Sequence, residues 1–232
     1  MLDRILEGAI RGTSSSGNMQ AFSIIVTTDP ALKQALYPLH FEQDMVLEAP
    51  AFVTFCADFH RMRRWLEASD APDNFDNLMS FMIGAIDAIL VAQSAALAAE
   101  QEGLGLCFLG TTLANCAAIS EVLQLPANVV PVVGFSLGYA AEAPGPRDRL
   151  PTHGLVHRNV YQAPDVREIY EARQSRGWAR YMQDDQLRAM VEASGVQNLA
   201  QLYTTVKYTR ESHQAYSATI LDCLERQNFL AG

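Results

Sequence analysis

Apolar residues recur along the chain in two periods, and most of its elements follow from them. Leu2, Ile5, Leu6, Ala9 and Ile10 fall at i, i+3, i+4, i+7 and i+8, one face of an amphipathic helix, with Gly12 placed to end it. A polar, turn-rich stretch follows, Thr13-Ser14-Ser15-Ser16-Gly17-Asn18, and then a β-branched run over 23–27. Pro30 opens a short helix whose apolar positions include Leu32, Leu36 and Leu39. Pro50 precedes a second predicted strand, 51–56, and Asp58 is placed to cap a basic helical turn carrying Arg61, Arg63 and Arg64. A long apolar helix is predicted from 78 to about 102, broken by Gly103-Leu104-Gly105, which feeds a strand over 106–109. Thr111 or Thr112 is placed to cap a helix through Leu123, and 129–137 reads as a further strand. A Pro/Gly-rich loop over 143–151 leads to a helical, more polar region from Asp165 onward, with Gly177 and Gly195 as expected breaks.

Residues 78–99 are apolar enough, and long enough, to span a bilayer. Asp87 sits in the middle of them, where a charge costs roughly 3 kcal/mol in lipid. A helix apolar nearly all round is therefore expected in the core or at a subunit interface, with no membrane partner.

Composition narrows the class. With 232 residues, 49% of them hydrophobic and 19% charged, the chain has ample material for a core, and disorder is excluded. Seventeen Lys and Arg against 26 Asp and Glu leave a formal charge of -9, which repels phosphate backbones, so no nucleic-acid partner is expected. Cysteines at 56, 107, 116 and 223 form no CxxC pair and are expected to be buried free thiols in a reducing compartment. The first residues carry no basic-then-apolar leader, and a cytoplasmic location is expected. The whole reads as one α+β domain, 1–232, with its core at about 1–164 and a helical C-terminal arm at about 165–232.

Candidate chemistry is sparse. Gly103-x-Gly105-x4-Gly110 lacks the dinucleotide fingerprint's spacing and follows a helix rather than a strand, although backbone N–H groups of Leu109 to Thr111 remain available to a ligand. The hydroxyls and N–H groups of Ser14 to Asn18 suit a phosphate, a ribityl chain or a ring edge, and equally make an ordinary solvated loop. Arg147 and Arg149 flank Asp148 in a proline-stiffened loop, either as a phosphate clamp or as two exposed arginines. His153 and His157 lie in a segment expected to be extended, too far apart for one ion, and no metal site is expected. Nothing supplies a nucleophile or an acid–base pair, so an enzyme built on this chain would rely on a cofactor.

Taken in order, several segments resemble the FMN-dependent nitroreductase family, in particular its larger NADPH-preferring flavin oxidoreductase branch. They are Thr13 to Gln20, Phe52-x-x-Phe55-Cys56-Ala57-Asp58-Phe59, Gly103-Leu104-Gly105 running to Leu109-Gly110, Gly134 to Tyr139, Arg147-x-Arg149-Leu150-Pro151 and Val156-His157-x-Asn159-x-Tyr161. The resemblance implies a three-layer α/β/α fold with a mixed, largely antiparallel sheet and a long central helix. It also implies an intertwined homodimer holding FMN in a groove shared by both subunits. Ser14, Ser15 and Ser16 would line the flavin and Gln43 would reach the isoalloxazine edge. Phe108, Leu109, Gly110 and Thr111 would run beside the ring, Arg147 and Arg149 would hold the phosphate, and Gly17 and Asn18 would meet the substrate. The implied activity is NAD(P)H oxidoreduction of nitroaromatics, quinones or flavins by ping-pong hydride transfer through flavin N5, with no catalytic side chain. The alternative is a non-enzymatic flavin-binding homodimer with weakened FMN affinity. Three departures accompany the resemblance. The family's N-terminal His-Arg-Ser-x-Arg type motif has no counterpart in these residues. Leu113 stands where relatives can carry arginine. The region from Asp165 matches loosely, around Ile220-Leu221-Asp222-x-Leu224.

Overall fold

A computed structural model describes residues 1–143 and 145–230, which form two compact units, Met1–Glu142 with Tyr216–Gly232, and Ala143–Ala215. In chain order the first unit contains α1 (Leu2–Gly12), β1 (Phe22–Thr27), α2 (Pro30–Leu36), α3 (Met45–Glu48), β2 (Ala51–Asp58), α4 (His60–Ala68) and α5 (Leu78–Gln101). Then come β3 (Gly105–Leu109), α6 (Thr111–Ala114), α7 (Cys116–Val122) and β4 (Val129–Gly138). The second unit holds α8 (Val166–Gln183), α9 (Asp185–Ser194) and α10 (Leu199–Leu202), and α11 (Arg210–Arg226) follows them.

The strands order as β1-β2-β4-β3, and every pairing among the described residues is antiparallel. Pro131 stands in a central strand, where its missing N–H would ordinarily break the ladder. The register shifts there: Phe55 faces Val133 while Cys56 faces Pro131, so Val132 is the bulged residue and the proline is absorbed. Alternation along β2 then loads both faces of the sheet. Val53, Phe55 and Ala57 pack with Ala88, Val91, Ala92 and Ala95 of α5, whereas Phe52 joins Leu36, Val46, Leu109 and Ile119 in a separate core. Helices on both sheet faces make the three layers.

Local chemistry sets the helix ends. Asp29 accepts from the N–H groups of Ala31 and Leu32 at the start of α2, with Pro30 in the first turn. The Asn77 side chain accepts from Ser80 N and opens α5. Gly195, at φ 69°, closes α9. Elsewhere the sequence misleads. Gly177 lies inside α8 and breaks nothing. Neither Thr111 nor Thr112 caps a helix to Leu123: Thr112 Oγ1 donates to the Leu109 carbonyl, and the segment is interrupted at Asn115, whose amide donates to Leu39 O. Residues 152–154 form a single 3-10 turn rather than an extended run. Cys107 is exposed, because β3 is an edge strand with one open face, while Cys56, Cys116 and Cys223 are buried.

Candidate functional site

The serine-rich loop is held from below by a buried carboxylate. Asp87, fully buried on α5, accepts from Ser15 Oγ at 2.6 Å, Ala21 N at 3.1 Å and Ser16 N at 3.2 Å. Ser15 Oγ in turn accepts from Gln20 N at 2.7 Å. One turn earlier on α5, Gly84 lets the helix close on this region: a Cβ there would lie 3.0 Å from the Ala21 carbonyl and 3.0 Å from Ala57 Cβ. The loop runs from α1 towards β1 through a left-handed stretch, Gly17 at φ 58°, Asn18 at 54° and Gln20 at 53°.

These bonds sort the three serines. The Ser15 hydroxyl is engaged in structure, donating to Asp87 and accepting from Gln20 N, which leaves its backbone to face a ligand. Ser14 and Ser16 are exposed, and their hydroxyls have no partner among the described residues. Gly17 and Asn18, the expected substrate contacts, line a cleft of about 400 Å³ whose other walls include Arg61 and the exposed Trp65. Arg61 is anchored there by Asp58 and by the carbonyls of Gln20 and Phe22.

A second group of expected residues gathers around His40. Its Nδ1 lies 2.8 Å from Thr111 Oγ1, and its carbonyl accepts from Gln43 Nε2 at 2.9 Å. The ring packs on Phe52 with centroids 4.7 Å apart, and Nε2 is buried without a partner among the described residues. Burial pushes the His40 pKa down to about 4, so the imidazole is neutral at physiological pH. Nothing in the sequence marked His40, a lone histidine after Pro38-Leu39. Phe108 is half-exposed and edge-on to Phe135, at 5.3 Å. Leu109 points its side chain into the second core, so only its backbone is free to meet a ligand, and Gly110 is exposed.

The arginine pair lies in the second unit. Arg147 has no carboxylate partner among the described residues, and Arg149 donates to the carbonyls of Arg147 and Asp148. Both guanidinium charges are thus uncompensated, in contrast to Arg61, Arg63 and Arg64, each paired with a carboxylate. His153 Nε2 lies 3.4 Å from Glu168, and the His157 ring packs on Tyr161 at 4.4 Å. Within the first unit, two free hydroxyls, an amide with its oxygen unspent and the backbone at 109–111 suit a flavin's polar edges; within the second, two cations suit a phosphate dianion.

Helices on both faces of an antiparallel sheet and a polar loop pinned to a long central helix define an α+β protein of the nitroreductase type. Residues 1–139 match the Nitroreductase family model, and the chain belongs to that family. It is 40% identical over 158 residues to the oxygen-insensitive NADPH nitroreductase of Salmonella typhimurium, covering 68% of this chain and 64% of that protein. The FMN reductase (NADPH) of Bacillus subtilis is 35% identical over 162 residues, covering 69% and 65%. Both alignments therefore span just under two thirds of the relative's own length. The structure of the NfrA1 nitroreductase from Bacillus subtilis superimposes with a TM-score of 0.84 at 26% identity, over 100% of this chain and 91% of that one.

Proposed function

We infer that this chain is an FMN-dependent NAD(P)H oxidoreductase acting on nitroaromatics, quinones or flavins, and that it works as a homodimer. The observation that carries the reading is the pair Arg147 and Arg149, two guanidiniums with no carboxylate to neutralise them, in a chain whose other loop offers unspent hydroxyls. The names of the Salmonella typhimurium and Bacillus subtilis relatives support the same class. When bound, FMN supplies the redox chemistry, a hydride taken at N5 from NAD(P)H and passed to the acceptor in a ping-pong cycle.

The protein's residues bind and orient. Arg147 and Arg149 hold the phosphate, a fork-like geometry suited to a dianion. Ser14 and Ser16 donate hydroxyls to the flavin, kept in place because Asp87 fixes the backbone between them and Ala21. Gln43, its amide nitrogen tied to the His40 carbonyl, presents its oxygen to the ring edge. His40 braces Gln43 and Thr111 as one unit and remains uncharged. Gly17, Asn18 and Trp65 shape the acceptor's cleft.

The phosphate assignment has a direct test. Arg149→Ala should weaken FMN binding by about tenfold or more, the worth of one charge-assisted contact, and leave riboflavin within twofold. Equal losses for the two ligands in fluorescence titrations would place the phosphate elsewhere.

A further inference from the structure

The cysteines differ in what surrounds them, and two of them touch. Cys107 is exposed on β3. Cys56 is sealed in the core, where burial, with Asp58 nearby, pushes its thiol up and keeps it protonated. Cys116 opens α7 and Cys223 lies in the last turn of α11; both are buried in the first unit, and their thiols hydrogen-bond to each other. That bond makes the two sulfurs unequal. Cys116 is the donor, which raises its own pKa and holds Cys223, the acceptor, below the ordinary thiol value. Ser120, whose Oγ donates to the Cys116 carbonyl at 2.8 Å, is also within hydrogen-bond reach of Cys223. Arg226 favours the Cys223 thiolate, while burial and Asp222 oppose it.

Access separates Cys223 from Cys56. Cys223 lines a cleft of about 170 Å³ between α7 and α11, together with Ser120, Glu121, Gln124, Arg226 and Gln227. That space is too small for a cofactor and ample for a molecule the size of a peroxide. Arg226 links the two helices at the cleft, 2.9 Å from Asp222 and 3.8 Å from Glu121. Cysteines packed only as small hydrophobes need neither a shared proton nor an opening beside one sulfur. We propose that Cys116 and Cys223 are an oxidisable dithiol, a modification site at which hydrogen peroxide closes a disulfide between α7 and α11. The Cys223 thiolate attacks one peroxide oxygen, the O–O bond breaks, and the departing hydroxide takes up the proton that Cys223 lost. Cys223 is then a sulfenic acid. The Cys116 sulfur attacks the Cys223 sulfur, the S–O bond breaks, and hydroxide leaves with the Cys116 proton as a second water. Two thiols and one peroxide thus give one disulfide and two waters. The bond closes a long covalent loop that contains β4 and residues 143–215, so it restricts the unfolded chain strongly.

The test uses the full chain with Cys107→Ser, so that the exposed thiol does not compete. The folded protein is treated with hydrogen peroxide and then denatured in N-ethylmaleimide, and the blocked thiols are counted by intact mass. The count should fall from three to one and return to three when dithiothreitol precedes the blocking. Peptide mapping should show the segment holding Cys116 linked to the segment holding Cys223, and the oxidised protein should melt about 5 °C or more above the reduced one. Cys116→Ala in the same background should leave Cys223 as a sulfenic acid that dimedone traps, formed about tenfold faster than any product at Cys56. Cys223→Ser should leave Cys116 unreacted. A count that stays at three, Cys223 carried on to sulfinic acid beside a free Cys116, a link that forms only in urea, or an oxidised protein with the Tm of the reduced one would overturn the proposal. Counting and mapping need no substitution at either sulfur, so a variant that fails to fold leaves them decisive. No step uses flavin, so the result is independent of the oxidoreductase reading.

Discussion

Asp87 and His40 show how much of this site hangs on single buried polar groups. Asp87 accepts three hydrogen bonds with no solvent to replace them, so Asp87→Ala should cost about 3 kcal/mol or more in urea unfolding and loosen FMN binding through the freed loop. Asp87→Asn, which keeps one acceptor oxygen, should fall between the two; a Asp87→Ala protein of unchanged stability would contradict the anchoring role. His40 makes a pH prediction. Its pKa falls from near 6.5 unfolded to about 4 folded, so between those values the unfolded chain binds more protons and stability rises with pH. The group should remove about 2–3 kcal/mol between pH 7 and 4.5, and His40→Gln should lack that part of the slope. Equal slopes in the two proteins would show that His40 titrates normally. In the sequence, Asp87 was visible only as a charge too costly for a bilayer; its partners lie more than sixty residues away and required the fold. The Ser15 hydroxyl's bond to Asp87 was hidden for the same reason, since composition cannot distinguish a hydroxyl engaged in structure from one kept for a ligand.

At the scale of elements, α5 both fills the core and presents a second surface. Its 24 residues are long and apolar enough, by length and composition, to cross a membrane, and half of the apolar window is buried within the fold. Along its open side Met79, Met82, Ile86, Ile89, Leu90 and Leu97 are substantially exposed, spaced at the helical period. An apolar stripe of that length is more than a soluble surface ordinarily leaves open, and the proposed homodimer covers it with a second copy. Ile86→Asp with Ile89→Asp should give a monomer of about 25 kDa in light scattering and lose bound flavin, whereas the unmodified chain should run at twice that mass; a dimer surviving both charges would move the interface elsewhere. Periodicity and caps made α1, α2, α5 and most of the strands readable, because their signals are local. Gly177 and the segment after Thr111 were misread because packing decided them: Leu199 needs the space at Gly177, and Asn115 leaves the helix to reach Leu39.

On the scale of the whole molecule, the acidic chain divides into a first unit whose arginines all pair with carboxylates and a second in which, among the described residues, only Arg176 and Arg188 do. The net charge of -9 conceals that division, because residues 143–215 alone carry ten Lys and Arg against eight Asp and Glu. The order of the motifs made the family legible over its first part, while the convergence of Arg173, Arg176 and Arg180 with the 146–149 loop depends on how the second unit folds. The central claim, that this chain binds FMN and passes a hydride through it, rests on one direct measurement. The purified protein is reconstituted with FMN, freed of excess, and mixed with NADPH or NADH under anaerobic conditions while the visible flavin absorbance is followed. The account predicts stoichiometric bound flavin that bleaches on adding the donor and recovers on adding a quinone. A protein that retains no FMN would contradict the cofactor assignment, and one whose bound FMN stays oxidised with both donors would be a flavin-binding protein without this activity.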